Sequence, residues 1–164
     1  MDRKTLEIRL ERVEGFKEPS PELEQYSTPS HLASRILHFA SMNGDLDSDS
    51  PVVDLGCGTG IFAIGAGLLG ASAVGVDIDA YTLKTARENA HELGVADDTE
   101  WVRADVSSLC LDLRDATVVM NPPFGAQSRG ADRPFLETAE RFGRVVYSIH
   151  NEGSLDFVEG FVNG

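Results

Sequence analysis

Three carboxylates and a run of glycines are the residues most able to do chemistry in this chain. In Asp54-Leu55-Gly56-Cys57-Gly58-Thr59-Gly60 the glycines alternate, which permits a tight turn and lets backbone approach a ligand closely. A helix starting there would offer free N–H groups and the positive end of its dipole. Asp77 follows about 20 residues after Gly56, the separation at which a strand-end carboxylate accepts hydrogen bonds from a ribose diol. Asp105 would close the next strand on the same edge, within reach of an adenine amino group. Each feature alone has a plain structural reading, as a β-α turn or a helix cap. At the ends of three successive strands they point together to a nucleotide-like cofactor. The G-x-G-x-G spacing differs from that of dinucleotide enzymes, and no Walker lysine follows. A fourth apolar run ends in Met120-Asn121-Pro122-Pro123-Phe124-Gly125. Asn and Pro are turn formers, but two prolines straight after a buried strand also fix φ and stiffen a row of carbonyls.

These residues need a sheet to bring them to one edge, and the hydrophobic pattern supplies it. Val52 to Leu55, Ala73 to Val76, Glu100 to Ala104, Ala116 to Met120 and Arg144 to Ile149 read as strands. Ile61–Leu69, Ala80–Leu93, Ala131–Arg141 and Ser154–Phe161 read as helices between and after them. Repeated β-α-β units predict a mostly parallel α/β sheet with helices on both faces. Two helices are expected ahead of it. Residues 3–14 carry Leu6, Leu10 and Val13 at helical spacing, with Gly15 as a stop. Residues 29–42 have Thr28 as N-cap, Pro29 at the first helical position and a buried stripe of Leu32, Ile36, Leu37 and Phe39-Ala40. The expected organisation is one domain over 1–164, with N-terminal helices and a lid in 1–43, an acidic loop at Gly44–Ser50 and a Rossmann-like core in 51–164.

The segment VVDLGCGTG resembles the first motif of class I S-adenosylmethionine-dependent methyltransferases, and Asn-Pro-Pro-Phe resembles the motif of those that modify a planar amino nitrogen. Such an amine is a poor nucleophile because its lone pair is delocalised. The Asn121 side-chain oxygen and the Pro122 carbonyl can accept its two hydrogens, orient it and stabilise the positive charge it develops. Phe124 can stack on a base drawn out of its helix. Leu23-Glu24-Gln25-Tyr26-Ser27-Thr28, Gly130-Ala131-Asp132, Phe135-Leu136 and Val146-Tyr147-Ser148-Ile149-His150 narrow the resemblance to the methyltransferase-like-five family, which makes N6-methyladenosine in small-subunit ribosomal RNA. The similarity runs from about residue 4 to residue 150. It implies that Gln25 and Thr28 close over S-adenosylmethionine, with Asp54, Gly56, Gly58, Thr59, Gly60, Asp77, Asp105 and Asn121 as further cofactor contacts. It implies that Asn121, Pro122, Pro123 and Phe124 hold the target adenine. It also implies a small zinc-binding activator subunit on the edge strand 99–103. Family members have further strands after the fifth, so the C-terminal strands are expected to be missing here and activity as a free enzyme is in question. The family usually has proline where Ser27 stands. Related Asn-Pro-Pro motifs leave methylation of a protein glutamine amide or of guanine N2 as alternatives, and a cofactor-binding module without turnover as a third.

Composition excludes other classes. The chain has 164 residues, 41% hydrophobic and 25% charged, with a net charge of −13. That is ordinary globular usage rather than disorder. The acidity, with Lys4, Lys17 and Lys84 as its lysines, resembles proteins of salt-loving archaea and argues against tight non-specific nucleic-acid binding. No apolar run reaches the ~18 residues of a membrane span, and the charged N-terminus is no signal peptide. Cys57 and Cys110 are too few for a zinc site or disulfide framework, so a cytoplasmic protein with reduced thiols and no metal is expected. His31, His38 and His91 read as surface or packing residues and His150 as structural; Trp101 reads as core or activator interface. Arg129, Arg133, Arg141 and Arg144 form either an RNA-facing strip or a solvated face paired with nearby acids.

Overall fold

Two short, β-branched runs fix the centre of the sheet. Val52–Leu55 (β1) and Ala116–Met120 (β4) are buried at every position, as strands covered on both faces must be. The computed structural model describes residues 1–46, 50–110, 115–124 and 130–162. With Ala73–Asp77 (β2), Thr99–Arg103 (β3) and Gly143–Ser148 (β5) they form a parallel sheet in the order β3-β2-β1-β4-β5. The helices are Arg3–Leu10 (α1), Ser30–Met42 (α2), Ile61–Leu68 (α3), Ala80–Glu92 (α4), Arg133–Phe142 (α5) and Leu155–Val162 (α6). Strand side chains alternate between the faces. Val52 and Val119 join Leu6, Leu10, Leu37 and Ile64 on one side, while Val53, Leu55, Val118 and Met120 join Leu136 and Phe142 on the other.

The strand order reverses between β1 and β4, where ligands bind in open parallel sheets. Leu55 stands opposite Met120 in that pairing. The glycine turn after β1 and the Asn-Pro-Pro-Phe corner after β4 therefore leave the sheet side by side.

The N-terminal helices differ in detail from the expectation. Asp2 caps α1, accepting from Thr5 N at 3.0 Å, and the helix ends at Leu10. Beyond it the Asn89 side chain takes both backbone groups of Glu14, so the chain leaves helical geometry early. Pro29 occupies the cap position of α2 in extended backbone, without a side-chain bond, and Ser30 opens the helix. Thr28 is thus not the cap; its hydroxyl is used elsewhere. Phe39 is exposed and meets Tyr147 edge-on, while Ser34 is buried in the stripe instead. Part of the acidic loop, residues 47–49, lies outside the described residues, as do Gly125 and Arg129.

Candidate active site

After β1 the backbone must turn sharply into α3. Gly58 sits in left-handed backbone, and a Cβ there would lie 2.8 Å from the Phe16 ring. The absent side chain thus lets the 15–20 segment close over the turn. Gly60 is the N-cap of α3, also left-handed, with the Trp101 indole packed where its Cβ would be. Trp101 is therefore core packing.

Asp77 at the end of β2 is tied to this turn. Its Oδ2 accepts from Gly58 N and its Oδ1 from Asp79 N, each at 2.9 Å. Burial raises its pKa against those two bonds, and the charge of Asp79 reinforces the rise. A carboxylate has about four acceptor positions, so two backbone bonds leave room for a diol. Asp105 caps the turn after β3 through Ser107, which holds its carboxyl below the usual range. It still lines the same cleft as Asp77. Asp54 is almost fully buried. Its Oδ2 accepts from Ala63 N at 3.1 Å, and Oδ1 has no hydrogen-bond partner among the described residues. Burial pushes its pKa up to about 7, opposed by the Ala63 N–H and helped by the charge of Asp77.

Across the gap, the Asn121 amide donates from Nδ2 to Thr28 Oγ1 at 3.0 Å. That bond fixes the amide plane and leaves Oδ1 a buried acceptor without a partner among the described residues. Pro122 is buried behind it, and Phe124 stacks with Tyr26, ring centroids 6.4 Å apart. A cleft of about 370 Å³ is lined by Gln25, Gly56, Gly58, Asp77, Asp105 and Asn121, and also by Pro123. A smaller chamber of about 40 Å³ adjoins it and is lined by Thr28, Asp54, Thr59 and Asn121. Of the expected residues, only Gly60, Pro122 and Phe124 line neither space. Gln25 lines the cleft, but its amide is engaged by Ser20 N, Asp79 and Thr82.

Sequence reasoning missed Phe16, Glu24 and Tyr26 as parts of the site. Glu24 and Tyr26 stand in the 23–28 segment that carries the resemblance, but no role followed for either, and the left-handed backbone of Glu24 would favour Gly or Asn. Of the arginines after the corner, Arg133 meets Glu137 at 2.9 Å, Arg144 meets Asp45 at 3.4 Å, and Arg141 donates to the Leu109 carbonyl. His150 lies between Ser148 and Asp132; burial lowers its pKa against the pull of the Asp132 charge. Among the described residues there is no cluster fit to hold a metal ion, and no helix is long and apolar enough to cross a membrane.

The donor set suits a charged nucleoside. A buried carboxylate by a glycine turn can take a ribose, apolar walls from Phe16 and Phe135 can take a base, and the open Asp54 oxygen can take an ammonium. Fold and site together define a class I methyltransferase that uses S-adenosylmethionine. The family described as RMKL-like, methyltransferase domain (UPF0020) matches residues 21–154, and the chain belongs to it. The chain is similar to the rRNA N(6)-adenosine-methyltransferase METTL5 of Danio rerio, 38% identical over 99% of this chain and 81% of the relative. Its structure resembles a Pyrococcus horikoshii protein proposed to be an RNA methyltransferase, with TM-score 0.89 and 40% identity over 97% of this chain and 79% of the other. It also resembles an RNA methyltransferase of Salinibacter ruber in complex with S-adenosyl-L-homocysteine, with TM-score 0.61 and 30% identity over 78% and 80% of the two chains.

Proposed function

We propose that the chain methylates the N6 amino group of an adenosine in small-subunit ribosomal RNA. The observation that carries this is the buried Asn121 Oδ1, without a partner among the described residues and held in orientation by Thr28, on a residue that lines the cleft. An acceptor desolvated and left open is costly unless a donor arrives, and an exocyclic amine is such a donor. The similarity to rRNA adenosine methyltransferases supports RNA as the substrate class.

S-adenosylmethionine, when bound, supplies an electrophilic methyl group on sulfonium sulfur. The protein residues do the rest. Asp77 and Asp105 hold the nucleoside end, and Asp54 with the Gly56–Gly60 turn holds the amino-acid end, with Gln25 and Thr28 above. Asn121 Oδ1 and the Pro122 carbonyl accept the two amine hydrogens. That draws electron density back onto nitrogen and aims its lone pair into the cleft. As nitrogen becomes positive, the same two oxygens face a growing charge, so their hydrogen bonds strengthen in the transition state. Pro122 and Pro123 keep these acceptors from relaxing away, and Phe124 stacks on the extruded base.

Residues 1–164 are read as one domain working in the cytoplasm, in keeping with the free thiols of Cys57 and Cys110. A small zinc-binding subunit is placed on β3, whose position at the sheet edge supports that assignment.

Asn121→Ala tests the mechanism. It should weaken cofactor binding far less than methyl transfer, since Asp77, Asp105 and Asp54 remain, and lower methyl transfer by at least about a hundredfold, the scale of losing a preorganised polar group. Calorimetry and nucleoside mass spectrometry read the two effects. Undiminished transfer in the variant sinks the mechanism; label found as N2-methylguanosine or in protein sinks the substrate.

A further inference from the structure

A buried carboxylate to which neither the resemblance nor the mechanism gives a role touches the catalytic corner. Glu24 is 7% exposed and stands in left-handed backbone, φ 49° and ψ 44°, where glycine or asparagine would sit without strain. A residue needed only for the turn would be one of those. A residue needed only for solubility would face water. Glu24 instead turns inward: its Oε2 accepts from Phe124 N at 2.7 Å and from Tyr26 Oη at 3.3 Å. The Tyr26 and Phe124 ring planes differ by 12°. Four residues along, Thr28 Oγ1 accepts from Asn121. The 24–28 segment is therefore fastened to the 121–124 corner at both ends, once to the acceptor amide and once to the aromatic residue.

We propose that Glu24 is a positioning residue for methyl transfer, whose carboxylate joins Phe124 N–H to Tyr26 O–H and so sets the two rings parallel as a stacking surface for the target base. The inference rests on the reading of this site as an adenine methyltransferase and adds Glu24 and Tyr26 to it. A bond from backbone N–H to carboxylate is charge-assisted and short. It fixes the peptide after Pro123 and hence the direction of the Phe124 ring. Near-parallel rings let one plane orientation of a flat purine serve both, and half of Tyr26 is open to solvent for that contact. Base stacking of this kind tolerates little tilt, so an error in ring angle moves the amine away from Asn121 Oδ1, and a small misplacement there is costly in rate.

The deciding variant is Glu24→Gly, which relieves the left-handed backbone while deleting the carboxylate. Glu24→Gln, which keeps an acceptor oxygen at the same reach, is its control. Expected for Glu24→Gly, at saturating cofactor, is a single-turnover methyl-transfer rate lower by about tenfold or more, the scale of one lost charge-assisted hydrogen bond. Glu24→Gln should restore most of that rate. Tyr26→Ala should raise KM for RNA, while Tyr26→Phe keeps the ring and most of the affinity. Transfer by Glu24→Gly at the wild-type rate overturns the proposal, as does a Glu24→Gln variant no better than Glu24→Gly. A separate arm needs no substrate: hydrogen exchange at the Phe124 amide, read by NMR, should speed up in Glu24→Gly, and unchanged exchange overturns the clamp. Failure of the wild-type protein to methylate adenosine would count against the adenine reading instead, while the exchange arm still judges the Glu24 contact.

Discussion

Asp54 is a carboxylate in a strand otherwise made of Val and Leu, and its placement has opposite consequences for stability and for binding. Its pKa stands at about 7 in the folded chain against 3.8 for an unperturbed Asp, because burial penalises the charged form more than the Ala63 N–H rewards it. Below pH 4 both folded and unfolded forms are protonated and nothing is lost. Between about 4 and 7 the folded form holds the extra proton, so stability falls as pH rises, and above 7 the full cost is present. The cost is about 4 kcal/mol at most. Asp54→Asn should therefore raise the unfolding temperature of the free protein by an amount that grows from pH 4 to 7 and then levels off. The same variant should bind S-adenosylmethionine more weakly if, as proposed, the ionised oxygen accepts from its ammonium. Thermal unfolding across pH, with calorimetry at pH 8, checks both signs. A variant less stable than wild type at pH 8, or one with undiminished affinity, would remove this role. At this scale Asp54, Asp77, Asp105 and Asn121 were legible because each lies at or next to the carboxyl end of a strand that the sequence pattern reveals. Glu24, Tyr26 and Phe16 were not, since their meaning lies in contacts with Phe124 and Gly58, far away along the chain.

The elements position the site by where they stop. β1, β2, β3 and β4 all deliver a candidate site residue at or just past their carboxyl ends, and parallel pairing places those ends on one edge. The limits of β1 and β4 could be read closely because strands buried on both faces are near-continuous apolar runs. Helix ends were less legible. The end of α1 depends on the Asn89 side chain from α4 capturing Glu14, and the start of α2 on Asn121 claiming the Thr28 hydroxyl that would otherwise cap the helix. Both are tertiary events that local propensity does not contain. The edge strand β3 raises a separate matter. It pairs with β2 on one side, carries exposed Glu100 and Arg103, and turns Trp101 inward against Gly60 and Gly75. Unpaired edges are usually covered or charged. If the proposed zinc-binding subunit adds to this edge, its addition should slow hydrogen exchange at β3 amides and raise the unfolding temperature by mass action. Amide exchange by mass spectrometry, with and without that subunit, reads this directly, and protection appearing elsewhere than on β3 rejects the assigned face.

For the molecule as a whole, net charge sets the solution behaviour. A chain of −13 repels itself when compact. Its attractive surface pairs, such as Arg3 with Glu7 and Arg133 with Glu137, lie on helix exteriors and contribute little each. Added salt weakens both effects, since the screening length falls from about 10 Å at 0.1 M to about 3 Å at 1 M. Repulsion summed over an acidic surface outweighs a few exposed pairs, so screening should stabilise the fold. The unfolding temperature should rise by about 4 °C or more between 0.1 M and 2 M potassium chloride, equivalent to 1–2 kcal/mol for a chain of this size. Potassium chloride is the salt to use, because sulfate would strengthen apolar burial in any protein. RNA binding should follow the same logic. Where a basic protein loses affinity steeply as salt displaces its phosphate contacts, this acidic chain should show a shallow salt dependence, because screening also removes its repulsion from the RNA. An unfolding temperature that is flat or falls across that range would mean the acidic surface is neutral toward folding, and the kinship in composition with salt-adapted proteins would carry no energetic meaning.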